Sequence, residues 1–468
     1  MEIKPKYTSL SHVQTDLRDG KYTMESLVQH YLDQAELHAG LNAFIEIWND
    51  EALEAARSLD EKIKKTPEQL GKLAGMVLSI KDNICYKNHR VSAASKILQG
   101  FEAPYSATAV ERLLAADAIL IGRTNCDQFG MGSSNENSIY GPVKNALDTE
   151  RVPGGSSGGA AVSVQIDACL AAIGSDTGGS VRQPAAFCGL YGLKPSYGRI
   201  SRHGLLAYGS SFDQIGFIGR NPTDLALLMQ IASGPDAYDS TAIQQPLSYL
   251  QEEPSATKRI AYLAPIAKHP SLDPEIKRIQ EETLQKLRDA GHSLVEADFD
   301  LLEFVVPTYY VLTTAEASAN LSRYDGIRYG YRSPQAQNLE QTYLLSRSEG
   351  FSEEVKRRIL LGTFVLSSGY YDAYYAQAQK VRRLIRDRLL AIFEEADLIL
   401  IPVSTQAAWK FGEKNQDPTS MYLSDVFTVL ANLAGLPALA FPAGTHSENH
   451  MPIGMQFMAA PGEELMMS

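Results

Sequence analysis

Two glycine- and serine-rich segments constrain this chain more than any other feature of its sequence. Residues 153–159 read PGGSSGG, and residues 174–180 read GSDTGGS. Glycine lets the backbone turn its N–H groups towards one point, which is what the binding of a negatively charged oxygen requires. Each segment also carries serine hydroxyls, so the two loops offer the groups needed for nucleophilic catalysis.

A third segment offers a base. Residues 75–81 read GMVLSIK, a short apolar run that predicts a buried strand ending at Lys81. A serine hydroxyl is a poor nucleophile unless a base takes its proton, and none of the nine histidines lies beside a glycine-rich serine segment. A lysine can replace histidine if burial lowers its pKa towards neutrality. Taken alone, Lys81 would more simply be a strand-end lysine that reaches solvent.

Glycine-rich segments also occur as simple turns and as phosphate-binding loops. A Walker loop ends in Gly-Lys-Ser or Gly-Lys-Thr, and neither segment has that ending. The net charge of −12 argues against direct electrostatic binding of nucleic acid. These features disfavour a phosphate-binding or nucleic-acid-binding role for the chain itself.

Cysteine usage and hydropathy bear on compartment and metal binding. The four cysteines lie far apart and form no CxxC or Cys/His cluster, which predicts reduced thiols and no metal site. The first residues contain no signal-peptide core, and no apolar run reaches the ~18 residues of a membrane span. We therefore expect a cytoplasmic protein with no membrane association.

Apolar runs alternate with amphipathic stretches along the chain, which is typical of an α/β sheet covered on both faces. Strands are predicted at residues 75–81, 118–122, 259–263 and 398–402. Helices are predicted from a cap at Thr23 and at residues 50–64, 107–116, 160–164 and 273–290. Residues 240–257 are the most linker-like segment but are too few to mark a domain boundary.

The three chemical segments, in this order and spacing, resemble the amidase signature family, whose members cleave carboxamides with a Ser–cis-Ser–Lys triad. Within that family, the chain is most similar to the glutaminase (A) subunits of tRNA-dependent glutamyl/aspartyl amidotransferases. The similarity covers about residues 7–468, and its most discriminating stretches are 316–326 (EASANLSRYDG), 357–364 (RRILLGTF) and 367–372 (SSGYYD). Similarity to the same subunits also lies in 130–137 (GMGSSNEN), 141–145 (GPVKN) and 151–156 (RVPGGS). It lies as well in 192–199 (GLKPSYGR) and 210–216 (SSFDQIG), which also occur in other amidases in variant form.

The resemblance implies an α/β amidase-signature fold with a central mixed sheet between helices. It also implies that residues 1–468 form a single domain. The catalytic core would span about residues 70–220 and the substrate-side half about residues 258–468. Members usually continue for another helix, so residues 462–468 are expected to start a helix that is cut short.

The same resemblance assigns catalytic roles. Ser180 would be the nucleophile, Ser156, after a cis peptide bond, would relay the proton, and Lys81 would be the base. Ser157 and Ser175 would support the site with hydrogen bonds. The residues alone do not separate Ser156 from Ser157, and the choice of Ser156 comes from the resemblance. The backbone N–H groups that would bind the oxyanion are those of Thr177, Gly178, Gly179 and Ser180.

Glutamine as a substrate makes its own demands. Its α-carboxylate calls for an arginine and its α-ammonium for a carboxylate. The resemblance meets them with a set of substrate contacts: Gly132, Ser133, Tyr309, Tyr310, Arg358 and Asp425. Taken alone, residues 356–358 (KRR) would be a solvated helix face.

The resemblance further implies a heterotrimer with a B and a C subunit. Ammonia released from glutamine would pass to the B subunit, which would amidate glutamate or aspartate already attached to tRNA. ATP and Mg²⁺ would belong to that partner, tRNA would bind mainly through it, and no cofactor is expected in this chain.

Two other functions remain open from the sequence. A free-standing amidase acting on a small aliphatic or aryl amide would share the triad without needing Arg358 or Asp425. A non-catalytic scaffold for a tRNA-modifying complex is disfavoured by the intact Lys81, Ser156 and Ser180. The family usually has a second acidic residue after Asp127, and Gln128 departs from that pattern.

Overall fold

The computed structural model describes residues 4–245, 257–414 and 418–467. Within these ranges, eleven strands form one mixed sheet in the order β1-β3-β2-β4-β6-β5-β10-β11-β9-β7-β8. The strands are β1 (Phe44–Ile47), β2 (Val77–Lys81), β3 (Ile119–Thr124), β4 (Ala171–Asp176), β5 (Tyr191–Lys194), β6 (Gln214–Gly219), β7 (Arg259–Leu263), β8 (Ser293–Ala297), β9 (Leu398–Pro402), β10 (Ala438–Thr445) and β11 (Pro452–Ala459).

Helices occupy most of the connections between strands. They are α1 (Leu10–Arg18), α2 (Met24–Leu37), α3 (Asn49–Lys65), α4 (Thr108–Ala115), α5 (Gly158–Gln165), α6 (Arg182–Phe187), α7 (Pro222–Ala232), α8 (Ala264–Ala267), α9 (Pro274–Asp289), α10 (Leu302–Asn320), α11 (Leu339–Gly350), α12 (Glu353–Val365), α13 (Gln377–Glu395), α14 (Pro418–Leu423) and α15 (Val429–Ala434). A π-helical turn spans Asp372–Ala376, and a 3₁₀ turn spans Glu464–Met467.

The sheet contains two parallel groups of strands on either side of an antiparallel centre, and its edge strand β1 pairs antiparallel with β3. β2 pairs in parallel with β3 and β4, and β7 does so with β8 and β9. Between them, β4, β6, β5, β10, β11 and β9 pair antiparallel. Every residue of β2, β3, β4, β6 and β9 is buried, which requires that both faces of the sheet be covered. The predicted α/β fold with a mixed sheet between helices is confirmed.

Local signals set several of the helix starts. The Thr23 side chain accepts a hydrogen bond from the Ser26 N–H, and the Ser26 side chain accepts one from Thr23, so α2 begins with a reciprocal cap. Asp273 caps α9, where Pro274 takes the first helical position. The predicted strands at 259–263 and 398–402 match β7 and β9 residue for residue. Of the predicted linker at 240–257, residues 246–256 lie outside the described residues.

The topology brings the three chemical segments to one edge of the sheet. β2 ends at Lys81 and its parallel neighbour β4 ends at Asp176, so both strands deliver their carboxyl ends to the same place. The chain then turns through residues 177–180 into α6, while α5 starts at Gly158, directly after the other serine loop. No helix in the described part of the chain combines the length and apolar character needed to cross a membrane.

Candidate active site

Lys81 lies at the centre of a buried cluster of serines. Its side chain has no exposed surface, and its Nζ lies 2.7 Å from Ser156 Oγ and 2.9 Å from both Ser157 Oγ and Ser175 Oγ. All three are neutral hydroxyls. Burial lowers the pKa of Lys81 to about 8, because removal from water penalises the charged ammonium. The structure thus gives Lys81 the contacts and the lowered pKa that a base requires.

Geometry separates the two serines that the residues alone could not. The Ser157 hydroxyl also donates to the Ser175 carbonyl at 3.2 Å, so it is bound to the backbone of β4. Ser156 Oγ instead lies beside Gly130, a residue that lines the cavity described below. The Gly155–Ser156 peptide bond is cis, as the resemblance implied. Ser156 is therefore the serine that contacts both Lys81 and the wall of the cavity.

Ser180 stands on the loop after β4 and is 8% exposed. The two serine loops are joined directly, since the Ser157 N–H donates to the Ser180 carbonyl at 3.1 Å. Among the described residues the Ser180 hydroxyl has no hydrogen-bond partner, and it faces the cavity. It is thus placed to meet a ligand there.

The backbone donors of this loop are not equivalent. The Gly179 N–H donates to Asp176 Oδ1 at 2.9 Å, so it is already engaged. The N–H groups of Thr177, Gly178 and Ser180 make no hydrogen bond with the part of the chain that the structure describes. Of the four predicted oxyanion donors, three are therefore available and that of Gly179 is not.

A buried ion pair that the sequence analysis did not identify holds this loop. Asp176 accepts from Arg182 Nε at 3.1 Å and Nη2 at 3.0 Å, as well as from the Gly179 and Val181 N–H groups. Burial alone would raise the pKa of Asp176, but the Arg182 guanidinium holds it below its usual range. The local sequence gave only part of this signal: an aspartate before a Gly-Gly turn commonly accepts nearby backbone N–H groups, but the pairing with Arg182 depends on the fold.

Asp127 organises the loop on the opposite side of the cavity. It is fully buried and accepts from the Asn135 and Asn137 N–H groups at 2.9 and 3.1 Å. Burial raises the pKa of Asp127 to about 6. A Cβ on either Gly132 or Gly155 would collide with its carboxyl group, so both positions require glycine for the loops to close around it.

The predicted substrate contacts meet the nucleophile in one small cavity. Its lining comprises Gly130, Gly132, Ser133, Gly155, Gly178, Gly179, Ser180, Tyr309, Tyr310, Arg358 and Asp425. Asp425 accepts from Ser133 Oγ at 2.6 Å and from the Tyr310 hydroxyl at 3.3 Å. Burial raises the pKa of Asp425 to about 6, against the opposing effects of the Ser133 hydrogen bond and the Arg358 charge. All six predicted contacts are brought together here.

Arg358 is buried on the inner face of α12, not solvated as the alternative interpretation held. Its Nε donates to Glu354 Oε1 at 2.8 Å and its Nη1 to the Tyr208 hydroxyl at 2.8 Å. Its guanidinium also lies 5.3–5.6 Å from the ring centres of three tyrosines, a distance suited to cation–π attraction. Those rings belong to Tyr208, Tyr310 and Tyr422. Tyr208 and Tyr422 were not identified from the sequence, because residues so distant in sequence give no local signal. Glu354 was also missed, although its place four residues before Arg358 on one helix is the spacing typical of an ion pair.

Gln128, which departs from the family pattern, supports this end of the cavity. Its Oε1 accepts a hydrogen bond of 2.8 Å from the backbone N–H of Ser352, the residue that caps the N-terminus of α12. The amide thus ties the Asp127 loop to the helix that carries Arg358.

The described residues show neither a metal-binding cluster nor a disulfide bond. No group of three or more His, Cys, Asp or Glu side chains there is placed to hold a metal ion. All four cysteines are buried and free.

The buried lysine–serine cluster has the arrangement expected of a serine hydrolase with lysine in the place of histidine. The chain belongs to the amidase family: the family model described as Amidase matches residues 26–467.

Two relatives carry a more specific name. The chain is 47% identical to the A subunit of the glutamyl-tRNA(Gln) amidotransferase from Chlorobium phaeobacteroides, with 98% of this chain and 96% of the relative covered. It is 37% identical to the protein of the same name from Thermotoga maritima, whose crystal structure superposes with a TM-score of 0.77 over 94% of this chain and 89% of that one.

The fold is also similar to that of an amidase whose name mentions no larger complex. The crystal structure of native peptide amidase from Stenotrophomonas maltophilia superposes with a TM-score of 0.80, covering 99% of this chain and 96% of that one. The identity is 26%. The overall fold is therefore shared across amidases of different names.

Proposed function

We propose that the chain is the glutamine-hydrolysing component, the A subunit, of a glutamyl-tRNA(Gln) amidotransferase. The observation that carries this proposal is the single cavity that holds Ser180, Arg358 and Asp425 together. A hydrolase of simple amides needs only the first of these groups. An amino-acid amide also needs a cation and an anion for its two charged ends. The names of the relatives support the same conclusion.

Acylation begins with neutral Lys81. Its free amine accepts the Ser156 proton, Ser156 accepts the proton of Ser180, and Ser180 Oγ attacks the side-chain amide carbon of glutamine. The carbonyl oxygen becomes an oxyanion, for which the open N–H groups of Thr177, Gly178 and Ser180 are available. The C–N bond then breaks, and the proton returns from Lys81 through Ser156 to the departing nitrogen. The products are ammonia and a glutamyl ester on Ser180.

Deacylation runs the same relay with water as the nucleophile. Water gives a proton through Ser156 to Lys81 and attacks the ester carbon. When the ester bond breaks, the proton returns to Ser180 Oγ and glutamate leaves. The pKa of about 8 allows Lys81 to lose and regain a proton near neutral pH.

The charged end of glutamine fits the other end of the cavity. Arg358 has two of its nitrogens bound by Glu354 and Tyr208, and within the described ranges Nη2 is left for the α-carboxylate. Asp425 faces the same space and would accept the α-ammonium. Because both groups are buried, water competes weakly for them and the charge contacts are correspondingly strong.

The rest of the reaction would belong to partner subunits. A B subunit would receive the ammonia and use ATP and Mg²⁺ to amidate glutamate on tRNA(Gln), with a C subunit completing the heterotrimer. The tRNA would bind mainly through the B subunit, in keeping with the net charge of −12 here. A cytoplasmic location follows from a role in aminoacyl-tRNA synthesis.

The rival is a free-standing amidase on a small uncharged amide, and the peptide amidase likeness gives it some support. The buried Arg358 and Asp425 favour glutamine over it, because an uncharged substrate would gain no charge-assisted hydrogen bond from either group.

The deciding experiment is Ser180→Ala in the complex copurified with its partner subunits. We expect ammonia release from glutamine, and glutamine-dependent amidation of Glu-tRNA(Gln), to be abolished. Amidation supplied with an ammonium salt should persist, because that step does not use Ser180. Ser233→Ala, which removes a hydroxyl bonded to the Met229 carbonyl at the end of α7, is the matched control. Loss of both activities in a normally assembled complex would contradict the proposed division of labour.

A further inference from the structure

Gln183 lies between the two halves of the cavity and has been given no role so far. It stands on α6, three residues after the nucleophile, and is 1% exposed. Its Oε1 accepts the Gly155 N–H at 3.1 Å. Its Nε2 donates to Asp425 Oδ1 over a longer distance of 3.4 Å. One amide therefore contacts both the residue before Ser156 and the carboxylate proposed for the substrate ammonium.

These contacts complete a continuous connection. It runs from Asp425 to Gln183, from Gln183 to the Gly155 N–H, across one peptide bond to Ser156, and from the Ser156 hydroxyl to Lys81 at 2.7 Å. Each step is a hydrogen bond or a covalent bond. The loop bearing Gly155 has little freedom elsewhere, because a Cβ on Gly155 would already collide with Asp127.

We propose that Gln183 is a positioning residue that orients Asp425 for the substrate ammonium and fixes the loop that carries Ser156. The inference rests on the proposed function for its first half only. A primary amide is suited to this place because it accepts through one atom and donates through another. An ionised glutamate can accept from Gly155 but cannot donate to Asp425, and a methionine of similar length can do neither.

This difference gives a pair of variants that separates the two contacts. Gln183→Glu keeps the acceptor for Gly155 and sets a like charge beside Asp425. We expect the KM for glutamine to rise about 10- to 100-fold, as for a lost hydrogen bond to a charged group, while kcat stays within about 3-fold of wild type. Gln183→Met loses both contacts, so kcat should fall as well.

The measurement uses the full chain in its copurified complex, with glutamine and with propionamide, which has no ammonium group. On propionamide, Gln183→Glu should match wild type and Gln183→Met should be slower. Gln165→Met is the control, because Gln165 likewise accepts a backbone N–H, from Ala146, and donates to Asn145, but lies outside the cavity. Gln165→Met should leave kcat and KM at their wild-type values for both substrates.

Two results would overturn the inference. One is a wild-type KM for glutamine in Gln183→Glu. The other is an equal loss in kcat/KM on both substrates for both variants, with a matching fall in Tm, which would make Gln183 only a packing residue. A wild-type complex that hydrolyses propionamide but not glutamine would instead refute the proposed function. The propionamide contrast between the two Gln183 variants would still test the contact with the Ser156 loop.

Discussion

The two ends of the cavity treat their charged groups in opposite ways. At the catalytic end, Lys81 is surrounded by the hydroxyls of Ser156, Ser157 and Ser175 and, among the described residues, has no carboxylate within hydrogen-bonding distance. At the substrate end, Arg358 is paired with Glu354 at 2.8 Å and stacked among tyrosines. Both cations are buried, but only one has an anionic partner.

The difference follows from what each cation has to do. A base must lose its proton, and burial lowers the pKa of Lys81 to about 8 against the opposing effect of nearby acidic groups such as Asp127. A group that binds a carboxylate must keep its charge, and arginine beside a glutamate does so. Substitutions at the catalytic end should therefore affect the chemical step, whereas those at the substrate end should affect glutamine binding.

The largest effect is expected for Lys81→Arg. Arginine keeps the positive charge but does not deprotonate in a protein, so kcat should fall by about 100- to 10,000-fold. In the wild-type protein the active form is the neutral amine. Glutamine hydrolysis should therefore rise with pH through about 8 and level off above it. A stopped assay for ammonia between about pH 6 and pH 10 brackets the pKa of Lys81. It measures both the loss of kcat in Lys81→Arg and the pH dependence of the wild-type protein.

Lys72→Arg, on the exposed surface before β2, serves as the control for the lysine-to-arginine change. Substantial turnover in Lys81→Arg would make Lys81 a structural cation and would remove the contrast between the two ends.

The next effect in size is expected for Arg358→Ala and Asp425→Ala. Each removes one desolvated contact with the charged end of glutamine, at a cost of roughly 2–5 kcal/mol in kcat/KM that appears mainly as a higher KM. Hydrolysis of propionamide should hardly change, because the catalytic end is intact. Arg357→Ala is the matched control, since Arg357 is the exposed neighbour of Arg358. Equal losses on both substrates would indicate a general defect of the cavity instead.

The smallest effect is expected for Gln128→Leu. The substitution removes the acceptor for the Ser352 N–H, which leaves the start of α12 without its tie to the Asp127 loop. The KM for glutamine should rise about 2- to 10-fold, the range for one neutral hydrogen bond, with kcat little changed. Gln128→Glu keeps an acceptor at the same place and should restore the wild-type KM. A failure of glutamate to do so would show that the donor side of the amide matters as well.

The segments of the catalytic end give local signals in the sequence, whereas the roles of Lys81, Ser156 and Ser180 came from the family resemblance. The apolar run before Lys81 indicates a buried strand, and the glycines around Ser156 and Ser180 indicate tight turns. The engagement of the Gly179 N–H was missed, because it depends on whether Asp176 turns its side chain back onto the loop. That choice is settled by Arg182 and the surrounding core, not by the local sequence alone.

The substrate end could be placed only through the family resemblance. Arg358 and Asp425 come from segments far from the serine loops in sequence, and nothing in their local pattern distinguishes them from surface charges. Their burial results from the packing of α10 against α12 and of α15 behind the nucleophile loop. Periodicity predicts which elements form, but it does not predict which distant elements meet.

The enclosure of Asp127 by two glycines restricts how this protein can evolve. Any side chain at Gly132 or Gly155 would have to displace the carboxyl group, and moving Gly155 also moves Ser156. If these three positions were substituted one at a time during evolution, the intermediate sequences would be inactive. Among relatives that keep the chemistry, we therefore expect Asp127, Gly132 and Gly155 to be inherited as a unit, while neighbouring positions in the same loops drift.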